Sequence, residues 1–172
     1  MRALTRSACS YPRNSPQAAG RIIALALISN GEIAPSESAI LNRTRARERI
    51  GISGREWHDV VDRLCKDLLA TAATGSVCRV DRETLARWLT EVDDAQLQRL
   101  LVLVTLAIIT ADGQVDAAES ALLGGMLEQW PLPFDQHVAL MKLAHRRKAN
   151  ERLEPMLYRS IFAAAPAAPL PF

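Results

Sequence analysis

The chain has 172 residues, 49% of them hydrophobic and 23% charged, with a net charge of +2. Length and balance are those of one globular domain and exclude a disordered or collagenous chain, and so small a net charge gives nucleic-acid binding no electrostatic default. Three cysteines, Cys9, Cys65 and Cys78, show no C-x-x-C spacing, which argues against a disulfide framework or a zinc knuckle and for a reducing, cytoplasmic setting.

Residues 1–14 read as an irregular arm without an apolar stretch of signal-peptide length. Ser15 and Pro16 form an N-cap and first-turn pair for a helix that runs to Ser29 and is apolar nearly all round, the pattern of a buried helix. Asn30 and Gly31 end it. Pro35 opens a second helix extending to Arg49, and Gly51 breaks it. Ser53 caps a third, Gly54 to Ala72, with Trp57, Val61, Leu64 and Leu68 on one face. A small polar connector follows, and Asp81 caps a short helix reaching Glu91.

Asp93 or Asp94 starts a long apolar helix that ends at Ala111. Its core, Leu100 to Ile109, is interrupted only by Thr105 and has about half the length that spans a bilayer, so it reads as a buried core helix with Leu103 inside. Asp112 and Gly113 stop it. Asp116 caps the next helix, with Glu119 completing a capping box, and Pro131 and Pro133 end that helix near Trp130. A seventh helix covers residues 134–147. Residues 151–172 read as a short helical piece followed by a loose Ala/Pro tail. No strand is expected, so the fold class is all-α, a bundle of about seven helices over residues 15–150.

The chain repeats itself 82 residues along. Residues 30–41, Asn-Gly-Glu-Ile-Ala-Pro-Ser-Glu-Ser-Ala-Ile-Leu, match residues 112–123, Asp-Gly-Gln-Val-Asp-Ala-Ala-Glu-Ser-Ala-Leu-Leu, at five of twelve positions, with four more conservative. Each copy follows an apolar helix and opens an amphipathic one, with a glycine at the stop, Ile33 or Val115 as plug, and Glu37 or Glu119 in the first turn, where negative charge is favoured. Duplication of this helix-loop-helix unit predicts that the two apolar helices pack together.

The pattern Ala111-Asp112-Gly113-Gln114-Val115-Asp116-x-x-Glu119, after an apolar helix, resembles the TerB-like tellurite-resistance family, with Asn30-Gly31-Glu32-Ile33-x-x-x-Glu37 as a weaker first copy. The resemblance covers about Pro16 to Arg147. It implies an all-helical cytoplasmic module of bacterial stress response, and a metal-binding role for acidic residues. The first copy departs from the pattern in Asn30 and Ala34.

Asp112, Asp116 and Glu119 occupy three positions of an EF-hand-like loop whose first aspartate is missing, so they serve equally as helix stop and caps. A metal there would be a hard cation, Ca²⁺, Mg²⁺ or Mn²⁺, bound weakly; Glu32 and Glu37 offer a poorer equivalent. Arg43, Arg45, Arg47 and Arg49 alternate on the expected second helix, as Arg43/Arg47 and Arg45/Arg49 stripes, and form a solvated face or a phosphate-binding or acidic-partner surface. No aromatic interleaves them, which argues against base stacking. His58, His137 and His145 form no metal motif, Cys65 reads as a buried small hydrophobe, Cys78 beside Arg79 as a more reactive thiol, and no nucleophile-base or phosphate-loop signature is present. Gly124-Gly125 within a helix signals close helix approach or a local kink rather than a phosphate cradle. The expectation is a non-enzymatic scaffold or adaptor that binds a protein partner, with a weak divalent-metal sensor as the alternative.

Overall fold

The computed structural model describes residues 9–28, 35–72, 80–111 and 117–130. Among these residues there are seven helices and no strand: α1 (Pro16–Ile28), α2 (Pro35–Arg43), α3 (Ala46–Arg49), α4 (Gly54–Ala72), α5 (Arg82–Leu89), α6 (Ala95–Ile109) and α7 (Ala117–Gln129). The agreement in number with the sequence expectation is partly fortuitous. The expected second helix is divided into α2 and α3, whereas the expected helix at 134–147 lies outside the described residues, as do Asn30-Gly31 and the tail.

Helix starts follow the local chemistry read from the sequence. The Ser15 hydroxyl accepts from the Ala18 N–H at 3.1 Å. Ser53 and Glu56 form a reciprocal capping box: Ser53 N–H donates to Glu56 Oε2 at 2.9 Å, and Glu56 N–H to the Ser53 hydroxyl at 3.3 Å. Asp81 accepts from Thr84 N–H at 2.8 Å and Asp94 from Leu97 N–H at 2.7 Å, which fixes Asp94 rather than Asp93 as the cap of α6.

The two apolar helices are the centre of the molecule. Ten of the thirteen residues of α1 and ten of the fifteen of α6 are buried. They pack on each other, α4 covers α1, α2 and α7 flank α6, and α5 lies against α7 and α1. This is the pairing that the duplication predicts, and α2 and α7 begin at equivalent positions of the repeat. Leu103 is a correction: it is half-buried, whereas Leu101, Val102 and Val104 are fully enclosed. On a helix at 100° per residue, a neighbour two positions away lies on the far side, and Leu103 falls at the edge of the buried arc.

The division of the second helix has a packing cause. Ile40, Leu41 and Thr44 are buried, and a continuous helix would carry Arg47 and Glu48 inward next. Instead the Thr44 hydroxyl bonds back to the Ile40 carbonyl at 2.9 Å, and Arg45 takes the left-handed conformation, φ 49° and ψ 40°. The rotated chain then buries Ala46, Ile50 and Ile52. Gly51, at φ 72°, closes the turn, with Ile52 N–H donating to the Arg47 carbonyl at 3.0 Å.

Small residues admit close contact at two seams. A Cβ on Gly20 would stand 2.8 Å from Ile52 Cδ1, and one on Gly125 would stand 2.9 Å from Leu85 Cδ2. The expectation of close helix approach therefore holds for Gly125, where α7 meets α5, and not for Gly124, which faces open space. Among the described residues, the Thr105 hydroxyl is fully buried without a hydrogen-bond partner. Thr105→Val keeps the shape and removes the stranded dipole, so it should raise stability by about 1 kcal/mol. A fall in the urea midpoint would mean that the hydroxyl is satisfied.

Candidate functional site

The sequence-predicted residues divide into those the fold brings inward and those it leaves outside. Glu37 and Glu119 sit in the first turns of α2 and α7, at matched positions of the repeat, and both are buried, 1% and 3% exposed. Neither carboxylate is free of partners. Both stand at positive helix ends, where a negative charge is favoured. Asp112, Asp116 and Glu32 lie outside the described residues. Among the described residues, no three His, Cys, Asp or Glu side chains gather as a metal set would.

The arginine series is rearranged by the break at Thr44. The expected Arg43/Arg47 and Arg45/Arg49 stripes require one continuous helix, and α2 and α3 are two. Arg43 and Arg45 are exposed, while Arg47 and Arg49 are half-buried. Partial burial pushes the Arg49 guanidinium below its ordinary value. Cys65 is half-buried rather than enclosed, and Cys78 lies outside the described residues. His58 is exposed at the start of α4, its Nδ1 2.6 Å from the Gly54 carbonyl oxygen. His137 and His145 are not among the described residues.

Sequence reasoning missed a polar cluster in the core. Arg21, in the middle of apolar α1, is 2% exposed. One guanidinium nitrogen donates to the Cys9 carbonyl and the other to Glu91 Oε2. Its Cζ lies 4.8 Å from the Tyr11 ring centroid and 4.4 Å from that of Trp88, so the cation is held between two aromatic rings. Its Nε has no partner among the described residues. Desolvation pushes the guanidinium below its ordinary value, opposed by Glu91, and desolvation also raises the Tyr11 phenol. The available signal was a single arginine in a segment otherwise too apolar for a surface.

The segment before α1, expected as an irregular arm, is irregular and tied down over residues 9–14. Asn14, at φ 54°, donates its N–H to the Glu91 carbonyl at 2.7 Å, and its Oδ1 accepts from the N–H groups of Asp93 and Asp94 at 2.9 and 3.0 Å. Arg13 pairs with Asp93 at 2.8 Å. Cys9 Sγ accepts from Arg63 of α4 at 3.3 Å. The strap thus joins α1, α4 and the turn before α6.

Three carboxylates are held below their ordinary range by hydrogen bonds: Glu56 by the Ser53 hydroxyl, Asp81 by the Thr84 N–H, and Asp93 by the Asn14 side chain. Groups with depressed folded values contribute stability that is present above their ordinary values of 4.5 and 3.8 and lost as pH falls through the folded ones. The melting temperature should therefore be flat from about pH 7 to 5 and fall below about pH 4. Asp81→Asn keeps a capping acceptor and removes the titration, so its acid-side fall should be shallower. An identical profile would show that this cap does not take part.

These helices and buried polar groups define an all-α module. No protein-family model, curated protein or solved structure matches the chain. Among the described residues, no helix is long and apolar enough to cross a membrane.

Proposed function

We propose that the chain is a TerB-like, non-enzymatic module of the cytoplasm that serves tellurite or related stress resistance as a scaffold or adaptor for a protein partner. The observation that carries this reading is the duplicated unit itself. Two helix-loop-helix copies, joined through α1 and α6, place a buried glutamate at matched first-turn positions, Glu37 and Glu119. The TerB-like resemblance rests on the same two motif copies. The adaptor role draws on the exposed Arg43 and Arg45. A cell lacking the chain should be more sensitive to tellurite and recover with the full chain restored; equal sensitivity would overturn the stress assignment.

The second reading is a weak divalent-cation sensor at Asp112, Asp116 and Glu119, favoured by the concentration of acids where α6 and α7 meet in sequence. Oxygen donors suit Ca²⁺, Mg²⁺ or Mn²⁺, at affinities near the millimolar end for an incomplete ligand set. Calorimetric titration of the wild type against Asp112→Asn/Glu119→Gln tests it. Equal heats would leave these residues as helix caps.

A further inference from the structure

We propose that residues 9–14 are a latch: they leave the body of the protein as one unit while the helices stay folded, and their departure turns the buried Arg21 guanidinium into a surface cation. This goes beyond the adaptor reading and does not rest on it.

The latch is held by polar ties rather than by burial. Ser10, Pro12 and Arg13 are exposed, Cys9, Tyr11 and Asn14 are half-buried, and none of these residues is enclosed. A segment that buries so little apolar surface opens at lower cost than the core helices. Its ties sit at two places. Asn14 bonds through its backbone to Glu91 and through its side chain to Asp93 and Asp94, with Nδ2 donating to Asp93 Oδ1 at 2.6 Å. Toward the other end, the Cys9 carbonyl and the Tyr11 ring meet Arg21. The Arg13–Asp93 pair and the Arg63–Cys9 contact are exposed and add little.

The boundary of the latch lies at Asn14, which holds φ 54°. Beyond it, the neighbouring helix starts keep caps that the latch does not supply, Ser15 for α1 and Asp94 for α6, so opening uncaps no helix. What lies beneath the latch is the second reason. An apolar residue at position 21 would make opening expose core surface. A guanidinium gains water instead, including the acceptor that its Nε lacks among the described residues, and Glu91 stays bonded to it. The other buried residues of α1 are Ala, Gly, Ile and Leu, and an apolar pair in place of Arg21 and Glu91 would be at least as stable. A lone arginine there is accounted for by an open state in which it is wet.

The test follows amide hydrogen exchange of the full chain, together with modification of Arg21 by phenylglyoxal read by peptide mass spectrometry. Protection of the Asn14, Asp93 and Asp94 amides should be alike, about a hundredfold or more below that of Leu101 in α6, and nearly unchanged by about 1 M urea, because little surface is exposed on opening. Arg21 should be modified without urea, at a rate set by the same opening. Asn14→Gly suits the backbone at φ 54° and removes the side-chain ties, so it should speed Arg21 modification by about tenfold or more. Leu101 protection should then fall by no more than the factor that separates the two classes of amide in the wild type, since loosening the latch cannot cost the core more than the latch's own closure. Latch amides that exchange together with Leu101 would overturn the proposal, as would Arg21 modification that waits for urea to unfold the core. So would an Asn14→Gly chain that does not fold, or one in which Arg21 is modified no faster.

Discussion

Glu91→Ala should destabilise the protein by about 3–5 kcal/mol, the usual cost of stranding one member of a buried ion pair. Arg21 would then keep its charge, 2% exposed between Tyr11 and Trp88, with the Cys9 carbonyl as its remaining acceptor. Its Nε already lacks a partner among the described residues, so the guanidinium has little reserve. Glu91→Gln retains an acceptor and should cost less. Replacing both partners, as Arg21→Met/Glu91→Leu, should recover most of the loss, because two charges no longer need desolvating. Urea unfolding followed by tryptophan emission measures all three. A Glu91→Ala loss under about 1 kcal/mol would mean that the cluster is hydrated.

Leu101→Ala should cost about 2–5 kcal/mol through lost burial and the cavity left in a helix enclosed on most sides. Leu101 is 0% exposed in α6, which packs against α1, α2 and α7. Leu103→Ala, two residues on but only half-buried, should cost clearly less. Equal losses would place both side chains in the core and contradict the helix phase described above.

The acidic loop and the arginine corner show how far patterns reach. That Glu119 and Glu37 occupy first turns was legible from their spacing after a glycine stop, because helix starts depend on residues three or four apart. That both are buried was not, since burial depends on which helix covers them. The arginine stripes failed for a related reason. A two-residue spacing of charges says nothing about Thr44, whose hydroxyl finds the Ile40 carbonyl, or about Arg45, which turns left-handed so that Ala46 and Ile50 can reach the interior.

By itself the sequence determined the helical class, the caps at Ser15, Ser53 and Asp81, the two central apolar helices and their relation by duplication. Each of these rests on short-range hydrogen bonds or on hydrophobic periodicity, which are written in neighbouring residues. Tertiary structure alone decided the rest: the Arg21–Glu91 pair with its aromatic sandwich, the strap from Asn14 to the turn before α6, and the break that sets Arg45 outward. Arg21 and Glu91 stand 70 residues apart. Their meeting follows from how α1 and α5 are placed in space, and a buried charge finds its partner only once the helices that exclude water have closed around it.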